Sequence, residues 1–315
     1  MGESLPFDND AWRERVHLET ESGLSRVGRP PSGPVEVMKS WARSHLLRVP
    51  TEAGPVWVKL GYRLPPGEEV VLERLAERWP ARVPRLVATW PGAVAMETIA
   101  APELTAEDPP EAWERAALEL GRLTAGETDH AEEWRLLGVR DRRPAAWGSA
   151  LESFVAGSVY AALDPSLRAR FEGWLPDFID RYQKAFAAPP TLVPQDSGCC
   201  NIGLGKDGPI FYDWADVVVG HATFSCDRLL DQVPAELRDR VIAAFLAESR
   251  FGLEEFRAMR RSNVLHEVLR YHDEIEWIAE GNPTRESLAR SVGSQLEVLL
   301  DHEDQRDGRT TPMDR

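Results

Sequence analysis

The chain predicts an α+β fold, with its strands gathered in the first hundred or so residues and its helices in the remainder. Two observations carry this. From Val35 to Leu60 short runs rich in Val, Leu and Trp are separated by turn residues, as in a small antiparallel sheet. Beyond about residue 100 the apolar positions recur at helical spacing over long segments. With 315 residues, 43% hydrophobic and 28% charged, the chain can bury one large core or two moderate ones.

In chain order, residues 8–21 read as a helix entered through an Asp or Asn cap, followed by the connection GRPPSGP at 28–34. Three strands follow, Val35 to Trp41, Ser44 to Pro50 and Gly54 to Leu60, the last two joined by a turn at Glu52-Ala53-Gly54. Alternation on the third places Lys59 on the same face as Trp57. Residues 68–79 (EEVVLERLAERW) have apolar residues at 71, 72, 75 and 79, a helical pattern. A strand pair over Val83 to Met96 leads to the small-residue segment 97–102, read as a hinge. The predicted helices beyond it are 111–126, 145–156, 165–187, 235–249, 253–280 and 285–302. This divides the chain into an N-terminal part (1–100), a helical part (101–302) and a polar tail (303–315) that reads as disordered.

The net charge of −15 and the lack of basic stripes argue against nucleic acid as a partner. No apolar run reaches membrane-spanning length and the N-terminus is polar and acidic, so no membrane partner is expected and the chain reads as cytoplasmic. Three cysteines, at 199, 200 and 226, form neither a disulfide framework nor a metal-binding spacing.

The chemistry concentrates in residues 191–228. Asp196 and Asn201 stand five residues apart, and a strand, turn and strand then lead to Asp213. Phosphoryl transfer needs such a set: a carboxylate that orients the acceptor hydroxyl and takes its proton, and an Asn and a second Asp that hold the magnesium bridging nucleotide phosphates. The protein-kinase catalytic loop has the same Asp-x-x-x-x-Asn spacing. The plainer alternative is that these residues are turn formers around a surface hairpin.

Taken together, LLRVPTEAGPVWVKL (46–60), EEVVLERL (68–75), QDSGCCNIG and FYDWADVVVGH (195–221) resemble the aminoglycoside phosphotransferase family, in their order as well as their composition. The resemblance spans about Val35 to Arg228. It implies a two-lobed protein-kinase-like fold, with a small antiparallel-sheet nucleotide-binding lobe and a larger helical lobe. It implies ATP or GTP with Mg2+ as cofactors and a small-molecule hydroxyl as acceptor, such as an aminoglycoside-like or nucleoside antibiotic or a metabolite. Carried over by position, Asp196 is the catalytic Asp, and Asn201 and Asp213 are metal ligands. Lys59 contacts the phosphates, with Glu68 as its ion-pair partner and Glu69 as the alternative. Residues 97–101, Glu97 and Ile99 among them, receive the nucleobase edge, and Ser40 to Ser44, including Arg43, occupy the place of the phosphate-covering loop.

The sequence departs from the family at several points. Pro194-Gln195 replaces the usual His-Gly before the catalytic Asp, the covering loop has no glycine, and Gly220-His221-Ala222 stands for Gly-Asp-Pro. Ser225 falls where the later structural Asp is expected, two residues before Asp227. A catalytically impaired nucleotide-binding or regulatory protein is therefore the alternative function. Cys199 and Cys200 read as small packing residues of the catalytic loop. On the acceptor side, residues 264–280 (VLHEVLRYHDEIEWIAE) place His272 and Glu276 within an apolar arc flanked by Asp273 and Trp277. Either His272 and Glu276 pair with each other, i to i+4, or the arc borders a cleft where these four residues meet the acceptor.

Overall fold

The structure is a computed structural model that describes residues 10–40, 44–61, 66–276, 278 and 280–306, with the side chains of 302–306 excepted. Its elements begin with α1 (Asp10–Arg26), β1 (Glu36–Ser40), β2 (Ser44–Val49), β3 (Val56–Gly61), α2 (Glu68–Arg78), β4 (Leu86–Trp90) and β5 (Ala93–Glu97). The middle of the chain gives α3 (Pro110–Gly126), α4 (Ala131–Leu136), a two-residue strand β6 (Arg140–Asp141), α5 (Pro144–Ala156), α6 (Ser158–Ala161) and α7 (Pro165–Ala185). Four short strands follow: β7 (Thr191–Pro194), β8 (Ile202–Gly205), β9 (Gly208–Phe211) and β10 (Val217–Gly220). The chain ends in α8 (Thr223–Gln232), α9 (Arg238–Glu248), α10 (Leu253–Arg260), α11 (Asn263–Ile275) and α12 (Pro283–Arg306).

Two compact units divide this chain. One comprises the described residues of 5–140 together with Pro189–Arg250; the other comprises Asp141–Ala188 and the described residues from Phe251 on. Residue 100 lies within the first.

In the first unit, β1 to β5 form an antiparallel sheet in the order β1-β2-β3-β5-β4. The period of two in β3 sorts its side chains. Val56, Val58 and Leu60 are buried in a core with Leu47, Val49, Ala93 and Ala95, closed by Val16 and Leu24 of α1. Each such buried aliphatic side chain contributes on the order of 1.5–3 kcal/mol over its exposed state. The alternate residues Trp57 and Lys59 project from the opposite face. β7 pairs antiparallel with β10, and β8 with β9 through the turn at Lys206-Asp207. α3 and α9 approach closely at Gly121, where a Cβ would stand 2.3 Å from the Phe245 carbonyl oxygen.

In the second unit, α7 carries an aromatic row, Phe171, Trp174, Phe178 and Tyr182, against which Trp147 of α5 packs 4.2 Å from the Tyr182 ring centre. The single helix expected over 253–280 is two, α10 and α11, broken at Arg261-Ser262. Ser262, an N-cap residue type, stands at the break but makes no side-chain capping bond, and buried residues lie on both sides of it, Phe256 and Met259 before and Leu265 and Leu269 after. Among the described residues, no helix is long and apolar enough to cross a membrane.

Candidate active site

The described residues that resemble the phosphoryl-transfer machinery lie in the first unit, and several converge on one pocket of about 410 Å³. Its sheet wall is the outer face of β2 and β3, with Leu46, Trp57 and Lys59; its far wall carries Asn201, Tyr212 and Asp213. The segment from Met96 to Ala101, with Glu97 and Ile99, forms its edge.

Lys59 is the hub. Its Nζ lies 2.7 Å from Glu68 Oε2 and 2.6 Å from Asp213 Oδ1. Burial works to lower the Lys59 pKa, but Glu68 and then Asp213 outweigh it and hold the ammonium well above its ordinary value. Burial also pushes the Glu68 carboxyl up, with Lys59 opposing. Glu69, the other candidate partner, instead accepts from the Gly92 backbone N–H at 2.8 Å.

Glu68 has a second task. Its Oε1 accepts from the backbone N–H of Trp214 at 2.9 Å, so the first residue of α2 grips the chain just beyond Asp213. Asp213 is the one non-glycine with positive φ among the described residues, at 62°. A left-handed carboxylate residue costs on the order of 1 kcal/mol or more and persists only where its surroundings hold it. Here the buried Trp214 indole donates to the Phe211 carbonyl at 2.8 Å, and Glu68 fixes the next peptide.

The loop from Asp196 to Asn201 is closed by its own ends. Asn201 Nδ2 donates to the Asp196 carbonyl at 2.7 Å, and the Asn201 carbonyl accepts from Tyr212 N at 3.1 Å, coupling the loop to the strand that ends at Asp213. The remaining support comes from α8. Its Gln232 Oε1 accepts from Cys199 N at 2.6 Å, its Ser225 carbonyl accepts from the Ser197 hydroxyl, and Arg228 Nε lies 3.4 Å from Asp196 Oδ1. A Cβ at position 198 would sit 2.7 Å from Gln232 Oε1 and would displace that side chain from the loop.

The donor set suits a hard divalent cation. With its amide nitrogen committed to Asp196, Asn201 keeps an oxygen for other work, and Asp213 adds a partly exposed carboxylate; magnesium takes few protein oxygens and completes its octahedron with water and phosphates.

Other expected residues sit as follows. Ser40 ends β1 on an exposed strand, and Lys39 and Ser44 line the pocket in its stead. Arg43 and Trp277 lie outside the described residues. Cys199 is half-buried, but Cys200 is exposed and so is not a packing residue; burial pushes both thiols up, away from the reactive thiolate. In the second unit His272 is buried, edge-on to Phe154 at 5.5 Å, and its Nδ1 is 4.0 Å from Glu276. Burial lowers the His272 pKa, so this contact is not an ion pair at neutral pH. Asp273 pairs with the buried Arg142. Glu276 remains half exposed.

Sequence reasoning missed α8 and the braces Gln232 and Arg228, and it read Ser225 only as a replacement for the family's later structural Asp. It also missed Glu103 and Tyr212, which face the pocket and each other, the tyrosine hydroxyl being pushed up by burial and the carboxylate beside it. The apolar spacing of Phe224, Leu229 and Leu230 was the signal available for α8.

No protein-family model and no curated protein matches this sequence. The fold does find matches: a five-stranded antiparallel sheet followed by a largely helical remainder is the protein-kinase-like fold of small-molecule phosphotransferases. One solved structure with it is a macrolide 2'-phosphotransferase from Brachybacterium faecium, 19% identical, covering 85% of this chain and 96% of that one with a TM-score of 0.58. Another is an aminoglycoside 2'-phosphotransferase-IIIa solved with GDP, at 14% identity, 91% and 99% coverage and a TM-score of 0.62. A third is the choline kinase LicA from Streptococcus pneumoniae, at 13%, 91% and 99%, with a TM-score of 0.63. At these identities the likeness is one of fold.

Proposed function

We propose that this protein is a nucleotide-dependent O-phosphotransferase that moves the γ-phosphate of ATP or GTP to a hydroxyl of a small molecule. The observation that carries the reading is the Glu68–Lys59–Asp213 cluster on a pocket, with Asp213 held in a left-handed conformation. An isolated turn-forming Asp would need no such support. In this reading the described residues up to about 100 serve as the nucleotide lobe and the helical remainder as the catalytic and acceptor lobe.

Lys59 holds the nucleotide phosphates and Glu68 fixes its position. The backbone of 97–101, which leaves the sheet ladder after Glu97, meets the nucleobase edge, and Trp57 and Leu46 supply apolar wall. Asn201 and Asp213 hold magnesium, which when bound neutralises charge on the transferred phosphoryl group. Asp196 orients the acceptor hydroxyl and takes its proton. Arg228 and the Asn201 amide keep that carboxylate and its backbone in place. Of the residues expected to meet the acceptor, Glu276 is half exposed, while His272 is buried and Asp273 pairs with Arg142.

The braces from α8 favour an active enzyme over the impaired alternative, because they supply the loop support that the missing His would have given. Calorimetric titration of ATP and GTP, with and without magnesium, on the wild type and on Asp213→Ala tests the reading. It expects magnesium-dependent binding that the substitution removes, followed by phosphate transfer in an acceptor screen. Lack of nucleotide binding would sink it.

A further inference from the structure

α2 reaches the candidate site with its first residue. Glu68 sets one carboxylate oxygen 2.7 Å from Lys59 Nζ on the sheet and the other 2.9 Å from Trp214 N, far along the chain. A small shift of the helix breaks one contact or the other, so α2 must be fixed against both partners. Its place on the sheet is fixed nearby, by the buried Val71, Leu72 and Leu75 and by Glu69, which accepts from Gly92 N. No side chain caps the helix at this end, where Gly67 is the N-cap.

The other end of α2 is held by Glu127, in the short helical turn Glu127–His130 that follows α3. The Glu127 side chain is 0% exposed. Its Oε1 accepts from the Trp79 indole at 2.6 Å and from Arg78 Nε at 3.1 Å; Arg78 is the last residue of α2 and Trp79 its C-cap. Its Oε2 accepts from the Trp134 indole of α4 at 2.8 Å and lies 3.0 Å from Arg78 Nη2. The Arg78 guanidinium lies over the Trp134 ring, 4.9 Å from its centre. At Gly126 a Cβ would stand 2.4 Å from the Trp79 ring, so the turn meets the indole as closely as glycine permits.

A carboxylate taken out of water is costly, and apolar side chains could join these segments equally well. What the directed charge-assisted bonds add is orientation. At 11 residues and about 1.5 Å per residue, α2 is a rod of about 16 Å, and holding its far end sets where Glu68 arrives.

We infer that Glu127 is a positioning residue for the site: it anchors the end of α2 and, through that helix, holds Glu68 against Lys59 and Trp214. Glu127 does not itself line the pocket. The geometric part stands whatever reaction the site performs; an effect on phosphate transfer rests on the phosphotransferase reading.

Amide hydrogen exchange at Trp214, whose N–H Glu68 holds, reads the position of Glu68 without any nucleotide. Glu127→Gln keeps the size of the side chain and removes its charge. Exchange at Trp214 is expected to quicken about tenfold relative to the amides of the β7–β10 ladder. In a Glu68→Ala background the same substitution is expected to add nothing, because the contact it acts through is gone. Trp79→Phe, which keeps a ring and removes one donor to Glu127, serves if Glu127→Gln does not fold, with a quickening of several fold expected. Unchanged exchange, equal quickening in the ladder, or an undiminished effect in the Glu68→Ala background overturns the inference. In phosphate transfer, Glu127→Gln is expected to lower turnover several fold with the KM for the acceptor unchanged, again only where Glu68 is present. Absence of transfer by the wild type would count against the phosphotransferase reading and leave the exchange result standing.

Discussion

Two regions of this molecule bury charge, and they do so to different ends. Around Lys59, two carboxylates share one ammonium, and one of them, Asp213, is 37% exposed on a pocket and sits on a left-handed backbone. On α11, Arg270 likewise faces two carboxylates, Glu267 at 2.7 Å and Glu274 at 3.4 Å, but no member of the three is more than 8% exposed. Stoichiometry alone therefore does not mark a site. Access and backbone strain do, because a closed network can only stabilise or specify the packing of its own unit, whereas an open one can exchange partners with a ligand.

The comparison breaks most sharply at Asp196. Asp196→Asn is expected to lower phosphate transfer by about 10²–10⁴-fold while nucleotide affinity stays within a few fold of wild type, as transfer assays with parallel calorimetry will read. Retained turnover removes Asp196 from the role of base.

The closed network should answer in stability instead. Arg270→Ala removes the cation that Glu267 and Glu274 share in a buried network and is expected to cost about 3–5 kcal/mol in denaturant unfolding. Nucleotide binding by the folded fraction should be untouched; a small stability loss would show that water reaches the network.

A smaller effect separates a brace from a catalytic group. Gln232→Ala leaves the Cys199 N–H without its acceptor, at a cost of about 1–3 kcal/mol. Turnover is expected to fall a few fold with the pH profile unchanged, and an altered pH profile would instead give α8 a part in the proton transfer.

The smallest effect is on pH dependence. His272 is held below its ordinary value of 6.5, chiefly by burial, so the unfolded chain binds its proton more readily. Its contribution to stability is present in full above pH 6.5 and is lost as the pH falls through that value toward the folded one. Unfolding midpoints from pH 7.5 to 5 should fall less steeply in His272→Gln than in the wild type. Parallel profiles would mean that the ring is hydrated in the folded protein.

The sheet and the order Lys59, Glu68, Asp196, Asn201, Asp213 were legible in the sequence because strand alternation, turn residues and short spacings are local properties of the chain; the hinge read at 97–102 lies inside one compact unit. Lys59 and Trp57 share a face because the strand period is two, and no tertiary contact is needed to say so. The break between α10 and α11 was not legible. Arg261-Ser262 is compatible with helix, and only the separate burial of the faces on either side decides it.

The same boundary runs through the site. The sequence by itself determined which residue types stand at chemical spacing, including the carboxylate, amide and lysine to which the proposed phosphoryl transfer is assigned. It could not choose between Glu68 and Glu69, which are adjacent and chemically alike; only the three-dimensional path of α2 brings one to Lys59 and the other to Gly92. Nor could it show that α8 supports the loop from Asp196 to Asn201, because Gln232 is 33 residues from Cys199 and contacts at that range depend on how the whole unit packs. His272 and Asp273 illustrate the converse. Their amphipathic placement was readable, but whether a polar group inside an apolar face meets a ligand or a buried partner depends on Phe154 and Arg142, which no helical period specifies.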